Sequence, residues 1–219
     1  MPPFTPFPLT PSELVYLNGE QYAKKHLVNN VKLMHMDLSV SASELAYAML
    51  ATAFLASEAE GSLQLEVGKR KTLLGSRDEL CAKPGPAGNI WPRPSIESKL
   101  LENSAGLVQN SKNYISAIVY NLLSADCASP GYEIIELGKP YMALRKLIIQ
   151  NEKKALGIFK TYSYELPATT LQGARQFPMQ RINQMLSSTK QTRQQLWNML
   201  VAGIKSGIAQ RVEQTSDDD

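Results

Sequence analysis

Lys69, Arg70 and Lys71 are three consecutive cations directly after Gly68. Ahead of them residues 62–66 (SLQLE) alternate apolar and polar, and behind them stand Thr72, Leu73 and Leu74. The segment predicts a β-hairpin over about residues 62–75, with its turn at 68–71 and a basic tip. Such a tip suits an anionic partner, and each cation is worth about 1 kcal/mol beside an anionic membrane surface. The plain alternative is that edge lysines only discourage aggregation of strands. A second group, Lys139, Arg145, Lys146, Lys153 and Lys154, has one acid among it, Glu152. A helix beginning at Pro140 would turn Leu144, Leu147 and Ile148 inward and these cations outward, either as a binding face or as a solvated one. The candidate lipid-binding residues are therefore Lys69, Arg70, Lys71, Arg145 and Lys146.

Catalytic chemistry has less to build on. G-x-S-x-G, G-x-x-x-x-G-K-[ST] and G-x-G-x-x-G are all absent from the sequence. The two histidines, His26 and His35, stand nine residues apart, which is no metal-ligand spacing. Cys81 and Cys127 are too few for a disulfide scaffold or a four-thiolate zinc site and read as free structural thiols. The pairs Glu58/Glu60 and Asp78/Glu79 read as solvated helix-end and loop charges. A non-enzymatic protein with no cofactor, no metal and no catalytic residue is the expectation.

The elements that would position the cations are mostly helical. The chain has 219 residues, 43% hydrophobic, and a formal charge of +3, a balance too small to imply a polyanion partner by itself. Residues 1–9, with prolines at 2, 3, 6 and 8, predict an extended arm. Thr10-Pro11-Ser12-Glu13 opens a helix that Asn18-Gly19 ends. Ser41-Ala42-Ser43-Glu44 opens another, apolar nearly all round, that runs to Glu60 and stops at Gly61. Residues 83–94, with four prolines and two glycines, predict a loop, and Ser95 opens a short helix through Leu101. Ile115, Ile118, Val119, Leu122 and Leu123 mark an amphipathic helix, and residues 125–132 a loop. Residues 158–166 alternate as a strand. Residues 170–212 read as helix divided at Pro178, with Leu196, Met199, Leu200 and Ile204 inward around Trp197. Residues 213–219 read as a disordered acidic tail. The longest apolar run, residues 45–56, is far short of the ~20 needed to span a bilayer, and no basic start with an unbroken apolar stretch marks a secretory signal. A cytoplasmic protein is expected, with a peripheral position on the cytosolic face of a membrane open to it.

The order of a buried capped helix, Gly61-Ser62-Leu63-Gln64-Leu65-Glu66, then Gly68-Lys69-Arg70-Lys71-Thr72-Leu73-Leu74, then a Pro/Gly-rich loop and a helix resembles the Golgi phosphoprotein 3 family. The Leu9-Thr10 opening with Leu14-Val15-Tyr16-Leu17, and Leu156-Gly157-Ile158-Phe159 leading into a Tyr-containing strand, resemble it too, so that residues 9 to about 170 are covered. The resemblance implies a mainly helical globule with β-hairpins. It also implies a peripheral adaptor that binds phosphatidylinositol 4-phosphate in a basic pocket and retains client proteins. The family pocket uses a Trp just before the buried helix and an Arg on it. Here residues 33–40 hold no Trp, residues 41–60 hold no Lys or Arg, and Leu50 falls where that Arg would be. Trp91 lies in another segment, and only Arg145 and Lys146 match the paired arginines of the later helix in part.

The sequence thus predicts a mainly α single domain over residues 10–212 with one or two β-hairpins and winged-helix-like elements. Its predicted role is an adaptor that binds phosphoinositide or another anionic lipid and carries a protein client. Two alternatives stand beside it: a winged-helix DNA-binding protein with residues 69–71 as the wing, and an interaction module that forms a homo-oligomer through the hairpin. The apolar helix ahead of the wing lacks base-reading side chains, which places nucleic acid second.

Overall fold

The capping signals mark where helices begin, and burial decides how they pack. The computed structural model describes residues 8–25, 29–72, 75–155, 159–177 and 179–217. His26, Leu73, Leu74, Pro178, and with them most of the predicted arm and the 156–158 part of the family-like segment, lie outside the described residues. Among the described residues the chain is mainly helical, with three antiparallel strand pairs.

In α1 (Pro11–Leu17) the Thr10 N–H donates to the Glu13 carboxylate at 2.8 Å, and Asn18 ends the helix. The short strands β1 (Asn30–Lys32) and β2 (Ser39–Ser41) pair ahead of α2 (Ala42–Ala59), a hairpin that carries too few alternating residues to announce itself. Helix α2 is the centre of the core: Leu45, Met49, Leu50 and Phe54 are fully buried, each worth roughly 1.5–3 kcal/mol of transfer free energy. It packs against α1, α3 (Ile96–Val108), α5 (Pro130–Leu144) and α8 (Gln194–Asp217). The buried apolar side chains form one cluster that runs from Leu9 to Ile204.

The central hairpin is longer than its sequence suggests. Strand β3 (Leu63–Thr72) pairs with β4 (Gly75–Pro84) in a register running from Leu63↔Pro84 to Thr72↔Gly75. Residues 68–71 therefore lie inside β3 and are not a turn or a tip. The polar sequence of residues 75–78 hid the return strand, because both of its faces there are exposed and no alternation is required.

The second correction concerns the basic segment. Helix α5 begins at Pro130, inside the predicted loop, holds Pro140 in its interior, and ends at Arg145. Lys146 then takes a left-handed conformation at φ 60°. The Lys146 N–H donates to the Ala143 carbonyl and the Leu147 N–H to that of Met142, both at 2.9 Å, which is a Schellman closure. Glycine is the usual residue there, and with lysine in its place the sequence carries no stop signal. The chain continues as β5 (Ile149–Ala155), paired with β6 (Phe159–Glu165), so Lys153 and Lys154 are strand residues. Leu144, expected inward, is 71% exposed.

Helix α3 runs seven residues past its predicted end at Leu101, to Val108, whereas α4 (Ile115–Tyr120) stops short of its predicted stripe, so that Leu122 and Leu123 lie beyond the helix although all five predicted apolar residues are buried. Helices α6 (Ala168–Gln176) and α7 (Gln180–Thr192) lead to α8, which continues through Asp217 and so through the first part of the predicted tail. No helix among the described residues is long and apolar enough to cross a membrane.

Candidate anion-binding cleft

Strand β3 delivers Lys69, Arg70 and Lys71 to the rim of a cleft, although successive side chains of a strand point to opposite faces. The other wall is the α3–α4 connection, residues 109–114, which the hairpin holds in place. The Ala82 N–H donates to the Asn113 carbonyl at 2.9 Å, and Asn113 Nδ2 and Ser104 Oγ donate to the Ala82 carbonyl at 2.8 and 2.6 Å. Tyr114 Oη reaches back to the Lys69 carbonyl at 3.3 Å. Between the walls lies a volume of about 500 Å³ lined by Lys69, Arg70, Lys71 and Lys112, with the neutral donors Asn110, Ser111, Tyr114 and Gln210 and the α4 residues Ser116 and Ala117. Four cations and no carboxylate line it. Ser116 is 3% exposed, and its Oγ has no hydrogen-bond partner among the described residues.

Acidic side chains stand just beyond this lining. On the Arg70 face of the hairpin, Arg77 lies directly across, and Glu79 bridges the two arginines. The Arg70 guanidinium also lies 5.5 Å from the centre of the Tyr114 ring. Lys112, Tyr114 and Gln210 carry no signal in the sequence. They stand 40 or more residues beyond the β3 cations, Lys112 and Tyr114 in one short connection and Gln210 in α8, and only the fold collects them.

Arg145 and Lys146 are not part of this cleft. The outward-facing assignment of Arg145 is overturned: its side chain is 12% exposed, forms a close ion pair with the buried Glu13, and donates to the Pro8 carbonyl at 2.9 Å. Lys146 is exposed at the end of α5. Glu13 sits beside a second buried carboxylate, Glu97, which accepts from the Ser12 N–H at 2.8 Å and the Ser12 hydroxyl at 3.0 Å. Burial pushes the Glu13 carboxyl up to about 8, against the pull of Arg145, and pushes Glu97 up as well. One guanidinium cannot neutralise two buried carboxylates, so the pair holds a proton at neutral pH.

The other candidates fall into structural roles. His35 is packed in with Nε2 3.7 Å from Glu20, and burial lowers its pKa. Burial and Glu133 push the Cys127 thiol up to about 12, and burial raises that of Cys81. Glu58, Glu60 and Glu79, expected to be solvated, are ion-paired: Glu58 takes both terminal nitrogens of Arg193 at 2.7 Å and Glu60 pairs with Arg181 at 3.2 Å. No metal-holding group of His, Cys, Asp and Glu occurs among the described residues. Comparison of the chain with models of known protein families, with curated proteins and with solved structures found no significant match.

Proposed function

We propose that this protein is a non-enzymatic peripheral adaptor, resembling the Golgi phosphoprotein 3 family, that docks on anionic lipid through the β3 cleft. The observation that carries the reading is that Lys69, Arg70, Lys71 and Lys112 all line one open volume with no carboxylate in its lining. Clustered cations around one concave volume focus potential and raise the local concentration of phosphate. The four neutral donors beside them fit phosphate and hydroxyl oxygens. Arg145 supports this function by holding α1 to α5 and not by touching lipid.

Vesicle co-sedimentation at low salt tests the reading. Phosphatidylcholine vesicles carrying phosphatidylinositol 4-phosphate should retain the protein and plain phosphatidylcholine should not. Charge reversal at Lys71 or Lys112 should lower the retained affinity about thirtyfold, from loss of one attraction and gain of one repulsion of about 1 kcal/mol each, whereas Lys146→Glu should leave it unchanged. Equal retention on both vesicles overturns the proposal. A steeply salt-dependent shift of duplex DNA in place of vesicle binding would transfer the cleft to a winged-helix role.

A further inference from the structure

The four cations of the cleft are not equivalent. Lys69, Lys71 and Lys112 have no carboxylate partner among the described residues, whereas Arg70 leans on Glu79, with Nη1 3.4 and 3.5 Å from the two carboxylate oxygens. Charge-assisted hydrogen bonds run at about 2.7–2.9 Å, so this contact is loose. The closer partner of Glu79 is Arg77. Arg77 lies directly opposite Arg70 in the hairpin, where two like charges repel unless an anion stands between them. Glu79 also lines a neighbouring cavity of about 200 Å³ together with Arg77, Leu80 and Ser116. Ser116 belongs to the walls of both volumes. A carboxylate that leaves Arg70 therefore has a place to go, on the side where Arg77 already holds it.

We infer that Glu79 is the resident counter-ion of Arg70 and that ligand phosphate displaces it, so that Glu79 sets which phosphates the cleft accepts. This rests on the lipid-docking reading above. A phosphate monoester carries close to two charges at neutral pH and three free oxygens, against one charge and two oxygens for a diester. Exchange of a carboxylate for a dianion at Arg70 gains attraction, whereas exchange for a monoanion gains little. Glu79 thus selects monoester headgroups by opposing weaker anions, a specificity built on repulsion as well as attraction. Arg77 sets the strength of that opposition, because it draws Glu79 away from Arg70.

Full-length protein is titrated with phosphatidylcholine vesicles that carry either phosphatidic acid, a monoester, or phosphatidylglycerol, a diester, at equal surface density. The wild type should bind the monoester vesicles about tenfold more tightly. Glu79→Gln should bind both more tightly and bring the ratio down to about twofold or threefold. Arg77→Gln should act in the opposite direction, weakening monoester binding several-fold because Glu79 is left with Arg70 alone. Its exposed side chain makes it a safe substitution if Glu79→Gln does not fold. Wild-type protein that prefers neither anionic vesicle over plain phosphatidylcholine overturns the docking reading. Wild-type binding with affinities unchanged in both variants overturns the role of Glu79 and leaves that reading standing.

Discussion

Replacing Gly207 by alanine adds a single methyl group to α8 at the point where it crosses α4. That Cβ would lie 2.4 Å from the Ser116 carbonyl oxygen, 2.9 Å from Val119 Cβ and 3.2 Å from the Ser116 carbonyl carbon. Carbon needs 3.4 Å or more, so the helices must part by about 1 Å. A backbone oxygen cannot swing aside as a side chain can. Helix α4 is also pinned: Ile118 and Val119 are fully buried, and the Arg211 guanidinium grips the Tyr120 and Leu123 carbonyls at 3.0 and 2.9 Å. Overpacking of this kind costs roughly 1–3 kcal/mol or more, against up to about 1 kcal/mol gained by removing glycine from a helix interior. The expected net loss is about 2 kcal/mol, or a fall in Tm of roughly 4–8 °C for a chain of this size. Gly106 in α3 is the matched control, because a Cβ there meets nothing within 4 Å. Gly106→Ala should stabilise by about 0.5–1 kcal/mol. Urea unfolding followed by far-ultraviolet circular dichroism measures both. A Gly207→Ala protein as stable as wild type, or more so, would refute the close-approach argument. Because α4 also carries the cleft residues Ser116 and Ala117, Gly207→Ala should weaken vesicle binding as well.

Two further outcomes follow from buried groups. Burial pushes the Glu13 carboxyl up to about 8, so in the folded state the Glu13–Glu97 pair keeps a proton that the unfolded chain releases near the ordinary carboxyl value of 4.5. The folded state therefore binds the extra proton between those limits, and stability should fall as pH rises through that window, by about 1 kcal/mol per pH unit. Glu13→Gln should flatten this slope in urea titrations across the window, and an unchanged slope would assign the effect elsewhere. Both cysteines are buried with raised thiol pKa values, Cys127 to about 12. Iodoacetamide should therefore label native protein far more slowly than urea-unfolded protein, and equal rates would place a reactive thiol on the surface.

Legibility in the sequence tracked where physical signals are local. Capping residues announced α1, α2 and α3, and the all-round apolar character of α2 announced its central burial, because both effects arise within a few residues of each other. The hairpin was recognisable from the alternation of residues 62–66, but its length was not, since the outer half of β4 is exposed on both faces and needs no pattern. The end of α5 was hidden by Lys146, which adopts the conformation that glycine usually signals. Of the cleft, the cations of β3 were visible as a run, whereas Lys112 and Tyr114 come from the α3–α4 connection and Gln210 from α8, and they meet β3 only through packing. Arg145 shows the opposite failure: a cation that counts as surface charge by composition is held inside by a carboxylate 132 residues earlier in the chain.

That ion pair bears on how the chain is made. Arg145 grips Glu13 and the Pro8 carbonyl across separations of 132 and 137 residues, and Glu97 closes on Ser12 across 85. During synthesis from the N-terminus, α1 and its buried side chains have no complete docking place until Arg145 has emerged. Such distant closures are slow to form and leave apolar surface uncovered in the meantime. Ribosome-bound fragments that stop before Arg145 would thus present α1 to chaperones, and fragments that extend beyond α5 would withdraw it.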